Sequence, residues 1–439
     1  MCGIYFSNNG ETAKLDKKFL TRGPDYYNEK YFNNLCMSHS LLSLTGEFTT
    51  QPVSKKDINL IFNGQIYNYD STKYLSDSYF ILDEYIKNPK SFWKNLDGEY
   101  AIVIYDSKNS KVIFLTDIFG TKPLYYSVEK EIITISSLKS TLEENGHKNI
   151  IKCKPNTSYS FDLINSNLQI EEEYFKFNLD QHVDSYDGWN EKFIESIKKR
   201  FMNTNHGIIL PLSSGHDSGA ISLAFDLLGI EYYTYSFFRH EHRKILSKRI
   251  MRRLINSPFR TRFKKDLQNH KVRNRIKKHI NQNSDKFYYG PNIENLTING
   301  HEDPGAIGLS YILERMKNID SKIKIVASGQ GADEIFSNIQ NYKFEKPNPK
   351  FFTENLKDIF PWQNFYYGTQ ISYLGKEESI GGSFGLETRY PFLDKNLVQE
   401  YLNLKPELKN KYYKAPITNF LMQHNYPFRK DISKTGFNP

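Results

Sequence analysis

The sequence predicts an α/β protein in two parts, a β-rich first region and a second region built on a doubly wound parallel sheet. Short alternating apolar runs that end at turn signals lie at 60–69, 100–105, 111–116 and 131–136. The stretch 176–188 is polar and typical of a linker. Beyond it apolar strands alternate with helical segments, which indicates parallel strands joined by crossover helices. We therefore expect domains at 1–175 and 189–439.

The second region shows this alternation along its length. We predict strands at 207–213, 231–237 and 322–328, and helices at 218–228 and 307–318. In an open parallel sheet, ligands bind at the carboxyl ends of the strands. The residues that follow these three strands are therefore the first place to look for a site.

Composition restricts the class of protein. The 439 residues, 38% hydrophobic and 15% aromatic, are enough for two or three domains with full cores. No apolar run approaches the roughly 20 residues of a membrane span, and the N-terminus lacks the features of a secretory signal. Three scattered cysteines are too few for a disulfide framework or zinc site. We expect a soluble cytoplasmic protein and leave its oligomeric state open, a homodimer included.

The net charge of +9 is concentrated in one segment, residues 239–280. It holds sixteen lysines or arginines against two acids, so the remainder of the chain is net negative. Apolar residues at 245, 246, 250, 251, 254 and 255 have helical spacing and favour a helix with one buried face and one solvated basic face. Binding of nucleic acid or another polyanion is the alternative, which we do not favour because aromatic residues for base stacking are sparse.

The run 210–222, LPLSSGHDSGAIS, predicts a phosphate-binding loop. An apolar strand ends in small polar residues and a helix follows at once, so backbone N–H groups and the helix N-terminus face one point. The carboxylate of Asp217 could hold Mg²⁺ against a bound pyrophosphate. The spacing differs from that of a Walker loop.

A second strand ends in ASGQGADEIF, 327–336. Its carboxyl end should lie beside the phosphate loop, with Ser328 and Gly329 near the nucleotide. Asp333 would then be a second Mg²⁺ ligand. A third block, 383–398, carries Arg389 and Asp394.

The chain begins Met1-Cys2-Gly3-Ile4. The small side chain of Cys2 permits removal of Met1, which would leave a thiol and a free α-amine on one residue. Such groups titrate near about 8.5 and about 8, so the amine can accept the thiol proton near neutral pH. A small residue that merely follows the initiator is the alternative.

These blocks resemble the asparagine synthetase family, over about residues 1–437. The loop, the second strand end and SFGLETRYPFLD are similar to the SGGLDSS, SGEGSDE and G-x-E-x-R-x-PFLD blocks of its synthetase domain, an ATP pyrophosphatase. MCGI, RGPD (22–25), FNGQIYNY (62–69), SD (76–77), LDGEYAIVIYD (96–106) and DIFGTKPLYY (117–126) resemble its class II glutamine amidotransferase domain. The resemblance implies an α+β N-terminal-nucleophile (αββα) domain followed by an α/β doubly wound ATP-pyrophosphatase domain.

The resemblance also implies roles for residues. Cys2 would attack the side-chain amide of glutamine, with Asn63 and the Gly64 N–H as oxyanion hole and Asp77 binding the α-amine. Ammonia would pass through an internal tunnel to an acyl-adenylate formed from ATP, and Lys411 would stabilise the phosphate charge. The other implied residues are Leu44 and Gln65 for glutamine, Leu212, Ser213, Ser214, Gly215, Asp217, Ser218, Phe237, Ser328 and Gly329 for ATP, and Asp217 and Asp333 for Mg²⁺.

The chain departs from the family in its glutamine pocket. Leu41 stands where the family has the arginine that pairs with the α-carboxylate of glutamine, and Gln65 replaces a glutamate that helps to bind the amine. Arg22, the only arginine before Arg200, belongs to the RGPD block. Both charged anchors are weakened, so glutamine, another donor and free ammonia remain open, with glutamine first.

The synthetase half departs as well. Gln330 replaces a glutamate of SGEG, Ser214 replaces a glycine and Gly219 replaces a serine. The block that carries the family lysine is one residue short, so Lys414 competes with Lys411 for that role. We interpret these changes as altered acceptor specificity.

We therefore expect an ATP- and Mg²⁺-dependent amidotransferase whose acceptor is aspartate or another carboxylate. An amide-forming tailoring enzyme or cyclase is the alternative enzyme, against which the intact Cys2, Asn63 and Gly64 argue. A non-catalytic relative that binds polyanions through 239–280 is the alternative of another class.

Overall fold

The computed structural model describes residues 1–11, 13–337, 348 and 350–430. The chain forms two compact units. The first contains Met1–Lys176, Asn283–Lys286 and Gly381–Leu386, and the second contains Phe177–Gln282, Phe287–Ile380 and the chain from Glu387 onward. The resemblance to the asparagine synthetase family extends to about residue 437, and its last part, from residue 431, lies outside the described residues. Within the described part, no helix combines the length and apolar character that crossing a membrane requires.

Two antiparallel six-stranded sheets form the first unit, in the orders β10-β8-β9-β1-β3-β2 and β12-β11-β7-β6-β5-β4. The strands are β1 (Gly3–Ser7), β2 (Tyr26–Phe32), β3 (Leu35–Leu41), β4 (Val53–Lys55), β5 (Ile58–Ile66), β6 (Gly98–Asp106), β7 (Lys111–Thr116), β8 (Tyr125–Glu129), β9 (Ile132–Ser136), β10 (Ile151–Lys152), β11 (Thr157–Asp162) and β12 (Asn167–Glu172).

The two sheets pack face to face because alternate residues of their strands are apolar. Ile4 and Ile135 of one sheet share a buried cluster with Ile61, Val103 and Phe114 of the other. The helices α1 (Lys17–Arg22) and α3 (Lys139–Glu144) cover the outer face of the first sheet, and α2 (Asp77–Lys87) contacts β4 and β5 of the second. The unit therefore has four layers in the order αββα.

The second unit is built on a five-stranded parallel sheet of order β15-β14-β13-β18-β19, which confirms the predicted parallel sheet. Its elements are α4 (Asp187–Phe201), β13 (Gly207–Pro211), α5 (His216–Leu228), β14 (Tyr233–Phe237), α6 (Arg243–Asn256), β15 (Thr261–Lys264), α7 (His270–Asn283), β16 (Tyr288–Tyr289), β17 (Ile298–Asn299), α8 (Pro304–Ile319), β18 (Ile323–Ala327), α9 (Ala332–Phe336), α10 (Gln363–Tyr366), α11 (Gly368–Gly382), β19 (Glu387–Arg389), α12 (Lys395–Asn403), α13 (Pro406–Asn410) and α14 (Ala415–Gln423).

The strand order reverses at β13. The chain runs outward from β13 through β14 to β15 on one side and from β18 to β19 on the other. Such a switch point leaves a crevice at the carboxyl ends of the two central strands. It brings the loops after β13 and β18 together: a Cβ added to Gly329 would lie 2.8 Å from the Cβ of Asp217.

The basic segment folds differently from its predicted pattern. Met251 and Ile255 were expected on the buried face of its helix, but they are 57% and 77% exposed on α6. The buried residues of α6 are Leu246, Arg249, Ile250 and Arg253. Two of the segment's arginines are therefore buried, where they donate to backbone carbonyls and, for Arg253, to the carboxylate of Asp226.

Candidate active sites

Cys2 lies at the start of β1, buried at 7% exposure. Its backbone N–H donates to Asn63 Oδ1 at 2.8 Å, and the Leu42 N–H donates to its Sγ at 3.3 Å. The thiol is thus part of a buried residue and lies beside a backbone N–H donor. If Met1 is removed, the nitrogen that faces Asn63 becomes the free α-amine.

Asn63 and Gly64 lie opposite Cys2 on β5. The Nδ2 of Asn63 is buried and has no hydrogen-bond acceptor among the described residues. A buried hydrogen-bond donor without a partner costs stability. An unpaired donor beside a candidate nucleophile is what a site needs to stabilise the oxyanion that forms during a reaction. Gly64 has φ +134°, and a Cβ there would meet the Glu99 carbonyl oxygen at 2.0 Å, so only glycine fits.

Gln65 and Asp77 form the polar end of the same strand face. Gln65 Nε2 and the Ile66 N–H donate to one oxygen of Asp77, at 3.0 and 3.1 Å. Asn63 and Gln65 are two residues apart, so both project from one face of β5. The family's second carboxylate is here a neutral amide that binds the first, which leaves one negative charge at this end.

The position at which the family pattern has an arginine is apolar and buried here. Leu41 ends β3 next to Leu42, the residue whose N–H contacts the Cys2 thiol, and it is 7% exposed. Leu44 is buried to a similar degree. Arg22 contacts the backbone of the candidate nucleophile, since its Nε donates to the Cys2 carbonyl at 3.2 Å.

Two contacts of the first unit were not predicted. One is the Arg22 contact with Cys2; the hint was that Arg22 is the only arginine before Arg200. The other is an ion pair between Lys122 and Glu99, 3.6 Å apart and 1% exposed at each side chain. Glu99 pairs in register with Gln65, so this charge pair lies next to the polar end of β5. Lys122 belongs to the GTKPLYY block and Glu99 to the LDGEY block. The spacing of these blocks in the sequence does not predict a contact between them.

The loop after β13 is held by its own serines. The Ser213 N–H donates to Ser218 Oγ at 3.1 Å, and the Gly215 N–H donates to Ser213 Oγ at 3.0 Å. Gly215 is the N-cap of α5, a helix of 13 residues. The predicted strand–loop–helix arrangement is therefore present in the structure.

Glu241 contacts this loop, and sequence reasoning missed it. Its Oε2 accepts from the Ser214 N–H at 2.6 Å and also from the Ser214 hydroxyl. The hydroxyl in turn accepts from the His242 N–H at 3.0 Å. Serine in place of the family's glycine thus adds a hydroxyl that binds Glu241. The only signal in the sequence was that Glu241 is one of two acidic residues in the basic segment 239–280.

The two predicted metal ligands converge on one cation. Lys414 Nζ lies 2.6 and 2.8 Å from the two oxygens of Asp217 and 2.8 Å from Asp333 Oδ1. The Tyr413 hydroxyl donates to the same Asp333 oxygen at 2.7 Å. Burial lowers the pKa of the Lys414 ammonium, but the two carboxylates outweigh it and hold that pKa well above its usual range.

These carboxylates fit a Mg²⁺ ion that is shared with nucleotide phosphates. Mg²⁺ in such sites is held by one or two carboxylates together with phosphate oxygens and water. Among the described residues there is no group of three or more His, Cys, Asp or Glu that could hold a metal. The pair could therefore complete a site with a substrate, but it does not form an all-protein cage.

The two candidate lysines lie in different surroundings. Lys411 is exposed, with its ammonium 5.6 Å from the centre of the Tyr412 ring. Lys414 is the N-cap of α14, with φ +48°, and its side chain is 3% exposed between the two aspartates. The geometry therefore favours Lys414 over Lys411 for the predicted phosphate-binding role.

Two buried polar atoms without partners among the described residues lie in or beside the loop after β18. The Gln330 N–H donates to Ser328 Oγ at 3.0 Å, while Gln330 Nε2 is buried and unpaired within the described part. Glu377 of α11 hydrogen-bonds Ser328, and its Oε2 is likewise buried and unpaired there. Burial raises the pKa of Glu377 to about 7.

Other predicted residues lie in the framework of the second unit. Leu212 and Phe237 are buried at 2% and 3% exposure, after β13 and at the end of β14. Asp394 caps α12 and pairs with Arg200 at 2.9 Å; burial opposes ionisation, but the adjacent Lys199 and Arg200 hold its pKa well below the usual range. Arg389 pairs with Glu387 at 2.8 Å.

The first unit is similar in sequence to a known domain family. Residues 1–177 match the glutamine amidotransferase domain family. The first unit is therefore similar to glutamine amidotransferase domains, and Cys2 lies within the matched residues. That match covers less than half of the chain.

Over most of its length the chain is similar in sequence to proteins named as glutamine-hydrolysing asparagine synthetases. A Methanocaldococcus jannaschii protein provisionally named asparagine synthetase 1 is 27% identical over 92% of this chain and 74% of its own length. Asparagine synthetase B of Escherichia coli K12 is 24% identical over 93% and 76%. The structure of glutamine phosphoribosylpyrophosphate amidotransferase from B. subtilis is 13% identical and covers 53% of this chain and 65% of its own. Its TM-score of 0.32 is too low to support a conclusion.

Proposed function

We propose that this protein is an ATP-dependent glutamine amidotransferase that converts a carboxylate to an amide. The observation that carries the proposal is the surroundings of Cys2: a buried thiol whose backbone nitrogen faces Asn63, beside an unpaired Asn63 amide. Homology with asparagine synthetases over most of the chain supports it. Aspartate is the first acceptor to test.

In the first unit, the Cys2 thiolate attacks the side-chain amide carbon of glutamine. The α-amine, freed by loss of Met1, accepts the thiol proton. Asn63 Nδ2 and the Gly64 N–H stabilise the oxyanion, and removal of one such donor costs about 100- to 1,000-fold in rate. The carbon–nitrogen bond then breaks, ammonia leaves with the transferred proton, and water hydrolyses the thioester to glutamate.

In the second unit, the acceptor carboxylate attacks the α-phosphorus of ATP and pyrophosphate leaves. The loop 213–218 and the N-terminus of α5 bind the phosphates. Asp217 and Asp333 would hold Mg²⁺, which neutralises phosphate charge when bound. Lys414 supplies a second positive charge at the same place. Ammonia then attacks the acyl carbon and displaces AMP, which forms the amide.

The acceptor can differ from aspartate because the loop after β18 differs. Gln330 cannot carry the charge of the family's glutamate, and the nearby Glu377 carboxyl has its pKa raised by burial to about 7. The negative charge of this loop is therefore lower than the family pattern implies. A carboxylate acceptor without an α-amine to be held is the second candidate.

Binding of nucleic acid through 239–280 gains no support. Arg249 and Arg253 are buried at 0% and 3% exposure, and Arg260 and Arg275 pair with Glu231 and Glu314. A surface that binds polyanions needs basic side chains free to contact phosphates. Arg252 and Lys277 also pair with Asp226 and Glu302, so at least six of the segment's sixteen basic residues are engaged within the protein.

The test is pyrophosphate release by the protein processed at Cys2, given Mg-ATP, glutamine and aspartate. Release that requires aspartate and yields asparagine supports an asparagine synthetase. Release only with another carboxylate supports the second candidate. Absence of both pyrophosphate release and glutamine hydrolysis would contradict the proposal.

A further inference from the structure

Arg249 is a buried cation that contacts the phosphate loop from inside the protein. It lies on the inner face of α6 and is 0% exposed. Its Nη1 donates to the Ser213 carbonyl at 2.6 Å and to the Gly215 carbonyl at 2.7 Å. These two carbonyls flank Ser214, the residue at the centre of the loop.

The contact determines where the N–H groups of the loop point. In a planar trans peptide the carbonyl and the following N–H point in opposite directions. With the Ser213 and Gly215 carbonyls on Arg249, the N–H groups of Ser214 and His216 are turned away from it. The Ser214 N–H meets a carboxylate oxygen of Glu241 at 2.6 Å, so an anion already occupies the side to which it points.

The other donors of Arg249 anchor it to a separate segment. Nε and Nη2 donate to the Pro427 carbonyl at 2.9 and 2.7 Å. The guanidinium carbon lies 5.2 Å from the centre of the Tyr426 ring. Four hydrogen bonds to three carbonyls use the planar fork of arginine, which the single ammonium of lysine cannot reproduce.

Gly219 makes room for this guanidinium. A Cβ added there would lie 2.2 Å from Arg249 Nη2 and 2.6 Å from its Cζ. Gly219 lies within the first turns of α5, where glycine has no conformational advantage. The serine of the family pattern at this position would collide with the arginine, so Arg249 and Gly219 form a matched pair.

We propose that Arg249 is the positioning residue of the nucleotide loop and that Gly219 is its required partner. The inference rests on the proposed function, in which this loop binds the phosphates of ATP. Arg249 acts through the backbone of 213–215 and does not itself touch the nucleotide.

The experiment measures the Kd for Mg-ATP by calorimetric titration, together with thermal unfolding. Arg249→Lys should raise the Kd about 10- to 100-fold, because charge-assisted bonds that orient the loop are lost. Arg253→Lys is the matched control: Arg253 is buried on the same helix face but contacts the Tyr232 carbonyl at 2.8 Å and Asp226 instead. It should lower the Tm and leave the Kd within about twofold.

A double-mutant comparison separates positioning from general stability. Gly219→Ser should raise the Kd in the wild-type background and have little further effect beside Arg249→Ala, where the clash is gone. Should Arg249→Lys not fold, Gly219→Ala tests the same contact with one added methyl group and should also raise the Kd.

The outcomes distinguish the inference from the function on which it rests. An unchanged Kd in folded Arg249→Lys or Gly219→Ala, or equal effects of Arg249→Lys and Arg253→Lys on the Kd, would overturn the inference. Wild-type protein that binds no Mg-ATP would overturn the proposed function and the inference with it.

Discussion

The two candidate sites differ in how many of their expected charged side chains are present. In the first unit charge has been removed from the expected glutamine pocket, since Leu41 is apolar and Gln65 is a neutral amide bound to Asp77. In the second unit charged side chains are retained and have partners. Lys414 contacts Asp217, and Glu241 accepts a hydrogen bond from the Ser214 N–H. We therefore expect recognition of the nitrogen donor to have changed more than activation of the acceptor.

Cys2→Ala gives the sharpest separation of the two sites. It removes the nucleophile, so glutamine-dependent amide formation should fall by as much as about 10⁶-fold, the loss seen when a nucleophile is deleted. Pyrophosphate release and amide formation with ammonium chloride should stay near wild type. Parallel assays with the two donors measure this.

The same variant can contradict the comparison. If ammonia-dependent turnover falls together with glutamine-dependent turnover, Cys2 has a role outside donor hydrolysis. If wild type uses ammonia alone and Cys2→Ala changes nothing, the altered pocket no longer supports glutamine hydrolysis.

Asp333→Asn tests the second site alone. The carboxylate lies 2.8 Å from Lys414 and would hold Mg²⁺ against the phosphates, so its loss should slow pyrophosphate release about 100- to 1,000-fold. Hydrolysis of glutamine by the first unit serves as the control and should not change. Pyrophosphate release at the wild-type rate would remove Asp333 from the nucleotide site.

Leu41→Arg tests whether the change of charge in the first unit weakened the donor site. Arginine restores a partner for the α-carboxylate of glutamine, and a hydrogen-bonded ion pair of this kind should lower the KM about tenfold or more. Leu41→Met, which preserves volume and neutrality, should leave the KM unchanged. A KM that is unaltered in folded Leu41→Arg would place recognition of the carboxylate elsewhere.

Sequence patterns predicted the parallel sheet because its strands are buried on both faces and alternate with helices. They also placed the loop 213–218 between a strand and a helix, where the structure has it. These are local properties, readable from runs of 5 to 10 or so residues.

Contacts between segments that are far apart in the sequence could not be predicted from these local patterns. Arg249 looked like one of many solvated basic residues, and its apolar neighbours Met251 and Ile255 suggested the wrong buried face of α6. Lys414 reaches Asp217 across 197 residues, and the shortened block around it favoured Lys411. Only tertiary packing decides which cation is buried and which is solvated.

The smallest expected effect concerns Glu377, a partly buried acid that hydrogen-bonds Ser328. Burial raises its pKa to about 7 in the folded protein, above the value near about 4.3 of an unfolded chain. The folded state then binds the extra proton, so stability should fall as pH rises from about 4.3 to 7 and stay level beyond. Glu377→Gln should remove this loss and raise stability at pH 8 by about 1–2 kcal/mol, discounted because the side chain is partly exposed. Urea unfolding at pH 5 and 8 measures the free energy of unfolding, with Glu407→Gln, a substitution at an exposed residue, as the control. Equal stability of Glu377→Gln and wild type at pH 8 would show that the Glu377 carboxyl is solvated.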